Sequence, residues 1–336
     1  MPQTQTAMHD NPTPSVWVLS DGKAGDESQC LGVAEQLGAS PDIRRVKPRK
    51  PWAWLMPRGP IDPREAPDQP GSPLSPPFPD IAIASGRRAV SYLRALKKAS
   101  NGATYTVFLK DPRTGTGTAD LIWVNRHDRL RGDNVLVTTT SPHRLTPQKL
   151  AAARAVPPAA IADLPRPRVA VLVGGDSRHH RFTPGDIARF AGQLDELARS
   201  GASLMGSPSR RTSPALAGAV ATVFARHDGW WWDGSGENPY LALLANADAV
   251  VATADSTNMI GEATATGVPI LVFEPQGGHS KITALNRALQ NEGVVHRFCG
   301  SLEGKPYEPI DSTPVIADAI RQGWLRHRTA LGLGAA

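Results

Sequence analysis

Cysteine is scarce: Cys30 and Cys299 are the only two in 336 residues. Thiols so few and so far apart in sequence exclude a zinc cluster or a disulfide framework. Long hydrophobic runs are lacking too. The apolar stretches reach only about seven residues, against the ~20 that a membrane-crossing helix requires, so no segment is expected to span a bilayer. Residues 1–14 have neither the basic start nor the apolar stretch of an export signal, and they are expected to be a disordered lead-in to a cytoplasmic protein. His127, His143, His179 and His180 do not fall at the spacing of a metal site, and no metal is expected. A Gly-x-Gly-x-x-Gly turn is also missing. That argues against a dehydrogenase or epimerase working through a bound dinucleotide, and no cofactor is expected. There is no acidic excess: 37 Lys and Arg against 31 Asp and Glu give a formal charge of +6. Such a balance suits anionic partners. Nucleic acid, acidic lipid and phosphorylated small molecules all carry such charge; of these, nucleic acid is not expected as a partner.

What the sequence does contain is a rhythm of short Val- and Ile-rich runs separated by helical segments. The runs are Val16–Ser20, Asp80–Ala84, Tyr105–Leu109, Leu121–Val124, Val135–Thr138, Val169–Val173, Ser203–Met205, Ala249–Ala252 and Ile270–Phe273. Helices are predicted over Asp26–Leu37, Arg88–Lys98, Pro184–Ser200, Pro239–Asn246, Asn258–Thr266 and Lys281–Asn291. Buried strands alternating with helices mean parallel sheets covered on both faces. The length suits two domains of about 150 residues each. The expected fold is α/β, with two doubly wound Rossmann-like domains facing a cleft, the glycosyltransferase-B type. Domain limits of 15–155 and 156–336 are predicted from the alanine-rich segment that gives way to Pro157-Pro158 and Leu164-Pro165-Arg166-Pro167. The stretch 57–79, dense in Pro, Gly, Asp and Ser, reads as an exposed loop inside the first domain.

In open α/β sheets ligands bind at the carboxyl ends of the strands, and four loops there carry unusual residues. Ser20 to Gln29 follows the first strand, with Gly22 and Gly25 able to let the backbone approach a ligand; a tight turn before a capped helix is the plainer reading. Ser85-Gly86-Arg87-Arg88 brings two guanidiniums to a strand end, as an anion clamp or as solvated surface. Gly174-Gly175-Asp176-Ser177 opens the second domain, and Ser207-Pro208-Ser209-Arg210-Arg211 ends the next strand on the same sheet edge. The fourth loop, Thr253 to Glu262, offers Asp255, Ser256, Thr257 and Asn258 at a helix start. Hydroxyls and free N–H groups there suit a diphosphate, and the Glu262 carboxylate suits the two hydroxyls of a ribose. Alternatively the hydroxyls only cap the helix and Glu262 complements its dipole. Two segments add aromatics. Trp230-Trp231-Trp232 leads into Gly236-Glu237-Asn238-Pro239-Tyr240, a mix found at carbohydrate and nucleotide sites, although core packing explains tryptophans equally well. Lys47 to Arg58 interleaves four basic residues with Trp52, Trp54, Leu55 and Met56, which suggests weak contact with an anionic membrane or a loop packed on its own domain.

The motifs Asp21-Gly22-Lys23-Ala24-Gly25-Asp26-Glu27-Ser28-Gln29, Ser85-Gly86-Arg87-Arg88, Asp111-Pro112-Arg113, Pro208-Ser209-Arg210-Arg211-Thr212, Gly236 to Tyr240 and Thr253-Ala254-Asp255-Ser256 together resemble the bacterial branch of the mitochondrial-fission family named after the plant elongated-mitochondria protein. The resemblance covers roughly residues 16–315. It implies a glycosyltransferase-B fold, and its plant members recruit a dynamin-like GTPase. More distantly, Gly174 to Ser177 and Ser256 to Pro269 are similar to the donor-domain motifs of the peptidoglycan enzyme that transfers N-acetylglucosamine to a lipid-linked acceptor. That similarity implies a nucleoside-diphosphate sugar with Glu262 on the ribose; from the loops read above, Gly174, Gly175, Ser177, Ser209, Arg210, Glu237, Asn238, Asp255, Ser256 and Asn258 are expected around it. Gly25 and Arg87 are expected on the acceptor side. The catalytic histidine of that enzyme has no counterpart, so Asp26 is expected as the base, with Asp21 beside it. The expected function is a metal-independent glycosyltransferase with an acceptor that is lipid-linked or otherwise unspecified. The alternative is a non-catalytic adaptor that recruits a protein partner on the same scaffold, cytoplasmic and peripheral on the inner face of the membrane.

Overall fold

The computed structural model describes residues 13–333; most of the expected lead-in therefore lies outside the described residues. The chain divides into two compact units. The first runs through Thr138 and takes back Pro142–Arg144 and the segment from Ser312 onward, while the second comprises Thr139–Ser141 and Leu145–Asp311.

The first unit contains β1 (Val16–Ser20), α1 (Ala24–Gln36), β2 (Asp42–Arg45), the single turn α2 (Trp52–Leu55), β3 (Ile81–Ser85), α3 (Ala89–Ala99), β4 (Tyr105–Leu109), β5 (Leu121–Asn125) and β6 (Val135–Thr138). Its strands form one parallel sheet in the order β2-β1-β3-β4-β5-β6. Along β1 the side chains alternate between two apolar layers, Val16 and Val18 on one face and Trp17 and Leu19 on the other. A sheet covered on both faces needs apolar residues at every position, hence the unbroken runs in the sequence.

The second unit contains α4 (Pro147–Ala155), α5 (Ala159–Ala162), β7 (Arg168–Val173), β8 (His180–Arg181), α6 (Pro184–Arg199), β9 (Ser203–Pro208), α7 (Pro214–Arg226), β10 (Trp230–Trp231), α8 (Tyr240–Asn246), β11 (Ala249–Thr253), α9 (Thr257–Ala263), β12 (Ile270–Phe273), β13 (Gln276–Gly277), α10 (Ser280–Asn291) and β14 (Val295–Arg297). The main sheet is parallel in the order β10-β9-β7-β11-β12-β14, and β8 pairs with β13 in a separate antiparallel ribbon. Again β7 serves two cores, through Val169, Val171 and Val173 on one face and Ala170 and Leu172 on the other. Helix α6 starts with a full capping box, the Thr183 hydroxyl and the Asp186 carboxylate each satisfying the other's backbone N–H.

Both sheets are therefore doubly wound and Rossmann-like, as the sequence predicts, but three expectations change. The last helix, α11 (Thr313–Ala330), belongs to the first unit. Its Ile316, Ile320 and Trp324 join the core under β1, β3 and β4, and Gly323 lets it approach Tyr105 with no room for a side chain. The first unit is thus discontinuous, and the chain leaves it at Thr138 rather than between Ala151 and Pro167. The 57–79 segment is irregular as expected but not simply exposed. Leu74 is fully buried, and Arg49 grips the Asp62 carboxylate with Nη2–Oδ1 at 2.6 Å, holding that carboxyl well below the usual range. Finally, α1 starts at Ala24, two residues before the expected Asp26, so Gly25 stands in its first turn rather than in a loop.

Candidate functional site

In a doubly wound sheet the crevice lies where the strand order reverses. In the second unit that point is between β7 and β11. The two loops chosen from sequence meet there, at Gly174-Gly175 and Thr253-Ala254-Asp255, and they are tied to each other. The Asp255 side chain is wholly buried. One oxygen accepts from the Thr253 hydroxyl at 2.6 Å, and the other from the Gly175 N–H at 3.0 Å and from the Arg211 guanidinium at 2.7 Å. The Gly174 N–H donates to the Thr253 hydroxyl at 2.8 Å. A side chain at Gly174 would collide with the Asp255 carboxylate, and one at Gly175 with the Arg211 carbonyl. Asp255, Gly174 and Gly175, expected from sequence around a ligand, form a knot that holds the crevice loops together. The third loop joins the same knot: the Thr212 hydroxyl donates to the carbonyls of Val173 and Gly174, and it accepts the Ser209 N–H at 2.8 Å. Arg211, not Arg210, makes the ion pair; Arg210 is exposed with no partner among the described residues. Ser177 closes its own turn by accepting the N–H groups of His179 and His180.

Past the knot, Ser256 caps α9 and accepts the Met259 N–H. On that helix Glu262 is half-buried, and its Oε2 accepts the Tyr240 hydroxyl at 2.6 Å. Burial pushes the Glu262 carboxyl up, opposed by the Tyr240 hydrogen bond, while burial and the adjacent carboxylate hold Tyr240 protonated well above its ordinary range. Tyr240 is thus a fixed donor that aligns Glu262 and leaves Oε1 free of protein partners among the described residues. It closes the Gly236 to Tyr240 motif, in which Glu237 is exposed and Asn238 accepts the Tyr240 N–H. The motif was visible in sequence; the tyrosine's partner, 22 residues on, was not.

The switch point of the first unit lies between β1 and β3, and the Asp21 and Gly86 loops meet there. Gly86, at φ 95°, puts its backbone against the Asp21 carboxylate. One Asp21 oxygen takes the Lys23 ammonium at 2.9 Å, and the other is buried without a partner. Asp26 is paired with Lys110 and is not the helix cap, which is Lys23. Lys110 sits at φ 92°, a left-handed conformation that is costly for a side chain of this type. Glu27 pairs with Arg45 at 2.7 Å, a hydrogen bond that lowers its pKa. Arg87 departs from expectation: it donates to the carbonyls of Ala53 and Met56, closing the end of α2 instead of clamping an anion. That anchoring turns Ala53 and Met56 inward, while Trp54 and Leu55 stay 66% and 54% exposed. The Lys50 ammonium lies over the Trp54 ring at 5.4 Å.

Two doubly wound units in one chain, each with its polar loops gathered at the switch point, define a two-unit α/β protein of Rossmann-like type. The profile of the family described as Mitochondrial fission ELM1 matches residues 24–324, and the chain belongs to that family. It is 28% identical over 282 residues to the mitochondrial fission protein ELM1 of Arabidopsis thaliana, the match covering 73% of this chain and 65% of that one. The chain therefore spans 65% of the length of that curated relative. Among solved structures it is similar to a UDP-N-acetylglucosamine 2-epimerase from Rickettsia bellii, at 10% identity over 95% of this chain and 97% of that one with a TM-score of 0.48. It is also similar to MurG of Acinetobacter baumannii, at 13% identity over 94% of each chain with a TM-score of 0.48.

Proposed function

We propose that the second unit binds a nucleoside-diphosphate sugar and that the chain is a metal-independent glycosyltransferase-like protein. The observation that carries this reading is the Tyr240–Glu262 pair, which presents one oriented carboxylate oxygen on the helix that leaves the switch point. In this reading Glu262 accepts the ribose hydroxyls. The N–H groups around Ser256 and Asn258 and the unpaired guanidinium of Arg210 take the diphosphate. The Asp255 knot supports these groups without touching the ligand. Titrating the purified chain, in metal chelator, with a panel of nucleotide sugars tests the reading by melting temperature, since a ligand specific to the folded state raises it. A panel without a single shift counts against it.

For transfer, Asp26 of the first unit serves as the base. General-base catalysis contributes about 10²–10⁴-fold, so an Asp26→Asn variant is expected to lose at least about 10²-fold in turnover while folding normally. Full turnover in that variant removes Asp26 from the mechanism.

A second reading, an adaptor that binds a ligand and recruits a partner without turnover, is favoured by the commitment of Asp26 to Lys110 and of Arg87 to backbone carbonyls. Both readings include weak attachment to an anionic membrane through Lys47–Arg58. Exposed Trp54 and Leu55 beside Lys50 suit the bilayer interface, and each basic residue near acidic lipid adds about 1 kcal/mol. The chain is expected to sediment with phosphatidylserine-containing vesicles at low salt and to be released at high salt. Recovery equal to that with neutral vesicles, or unchanged on replacing both Trp54 and Leu55 with alanine, contradicts this attachment.

A further inference from the structure

The first unit contains a cavity of about 410 Å³ on the edge of its sheet opposite the switch point. It lies at the amino ends of β4 and β5, where the end of α3 meets the single 3-10 turn Thr116–Thr118 that precedes β5. Its side chains are Arg94, Lys97 and Lys98 from α3, Asn101 from the turn that follows, and Thr118. Among the described residues no carboxylate lines it. Lys97 is paired with Asp120, whose other oxygen accepts the Thr106 N–H at 2.8 Å and the Thr106 hydroxyl at 2.6 Å. Arg94 and Lys98 are exposed and have no partner among the described residues.

Basic residues in the last turn of a helix often complement its negative end. That accounts for Lys97 and Lys98, but Arg94 stands before the last turn. Nor do the carbonyls at the end of α3 need a side-chain donor. Those of Leu96, Lys97 and Lys98 accept the backbone N–H groups of Ser100, Gly102 and Asn101, a closure that Asn101 makes at φ 50° and Gly102 at φ 77°. Arg94 and Lys98 are four residues apart on one helix, where like charges repel. Two uncompensated cations side by side on one cavity wall call for an anion with two charges. A phosphomonoester carries close to that charge at neutral pH, and its three terminal oxygens suit the forked Arg94 guanidinium together with the Lys98 ammonium. We infer that this cavity binds a phosphomonoester group, with the Asn101 amide as a neutral donor. The same group occurs on free phosphorylated metabolites and on the acidic lipid phosphatidic acid, and the experiment separates these sources. The inference is independent of the nucleotide-sugar reading, whose ligand residues lie in the second unit.

The test compares wild type with the double variant Arg94→Gln/Lys98→Gln. Both positions are exposed, and removing like-charged neighbours is expected to leave the melting temperature no lower than that of the wild type; the two single variants serve if the pair does not fold. A control, Arg287→Gln/Lys305→Gln, takes the same charge from two exposed residues of the second unit that have no partner among the described residues. Calorimetry with glycerol 3-phosphate reads the soluble arm. The lipid arm is sedimentation with phosphatidylcholine vesicles containing phosphatidic acid, set against vesicles with enough phosphatidylglycerol, a diester, to match their charge. The wild type is expected to bind glycerol 3-phosphate, or to prefer phosphatidic acid over phosphatidylglycerol, or both. Whichever binding is seen is expected to weaken at least about tenfold in Arg94→Gln/Lys98→Gln, the worth of one charge-assisted hydrogen bond, and to be unchanged in the control. Binding of glycerol 3-phosphate alone identifies a soluble ligand, and preference among vesicles alone a lipid headgroup. Three results overturn the inference: no glycerol 3-phosphate binding together with equal sedimentation on both acidic vesicles, binding that survives Arg94→Gln/Lys98→Gln, or an equal loss in the control.

Discussion

Replacing Asp255 with alanine is expected to lower the stability of the second unit by about 3 kcal/mol, the low end for breaking a buried ion pair. The low end applies because Arg211 is 41% exposed and water can solvate it once released, whereas the Asp255 side chain has no exposure at all. The loss has three parts: the Arg211 pair, the Gly175 N–H and the Thr253 hydroxyl all lose their acceptor at once. Arg211→Ala is expected to be nearly as damaging, because it leaves a carboxylate buried with only neutral donors. The double variant is expected to cost less than the sum of the two, as for residues sharing one network. Urea unfolding followed through the tryptophans at positions 230–232 reports on this unit. A loss below about 1 kcal/mol for Asp255→Ala, the scale of an ordinary surface change, contradicts the knot.

Glu262 is expected to behave in the opposite way. Its removal, as Glu262→Ala, is expected to weaken a nucleotide sugar by about 1.5–3 kcal/mol, the range for hydrogen bonds to a charged group, with little effect on folding. The pH dependence follows from the raised pKa. Above its ordinary pKa of 4.5 the unfolded chain releases the Glu262 proton, while the folded chain holds it to higher pH. Folding is therefore least penalised by Glu262 below that value and loses stability as pH rises through the folded pKa. Glu262→Gln keeps a hydrogen-bond acceptor for Tyr240 without the charge. It is expected to melt at or above the wild-type temperature at neutral pH, with the difference vanishing in acid. A residue that weakens the fold at neutral pH yet stands oriented at a crevice is the pattern expected of a ligand group. A Glu262→Gln variant less stable at neutral pH than the wild type contradicts this.

Strands buried on both faces were legible in the sequence: β1, β4 and β12 have the expected limits, because each is a nearly unbroken apolar run. Of the edge strands β6 was found as well, but β2, β10 and β14 were not. β2 reads Asp-Ile-Arg-Arg, since an edge strand facing water needs no apolar run. Helix α11 returns to the first unit through contacts with residues hundreds of positions away, which periodicity does not report. The loops at both switch points were found from their glycines and hydroxyls, but the roles within them were not. Sequence placed Asp255 in the ligand shell and Arg210 beside it, and only burial distinguishes a knot from a contact. Arg87 was read as an anion clamp or a solvated surface group, because neither Ala53 nor Met56 signals that its carbonyl needs a donor. The cavity at Arg94 and Lys98 left no mark at all, since its residues come from separate elements and form no motif.

The central claim is that Glu262 contacts a nucleotide sugar bound by the second unit. Its most direct test is calorimetric titration, side by side, of wild type and Glu262→Ala with the tightest-binding member of the nucleotide-sugar panel. Affinity at least about tenfold weaker in a variant of unchanged melting temperature is the predicted result. The same affinity in both proteins contradicts it.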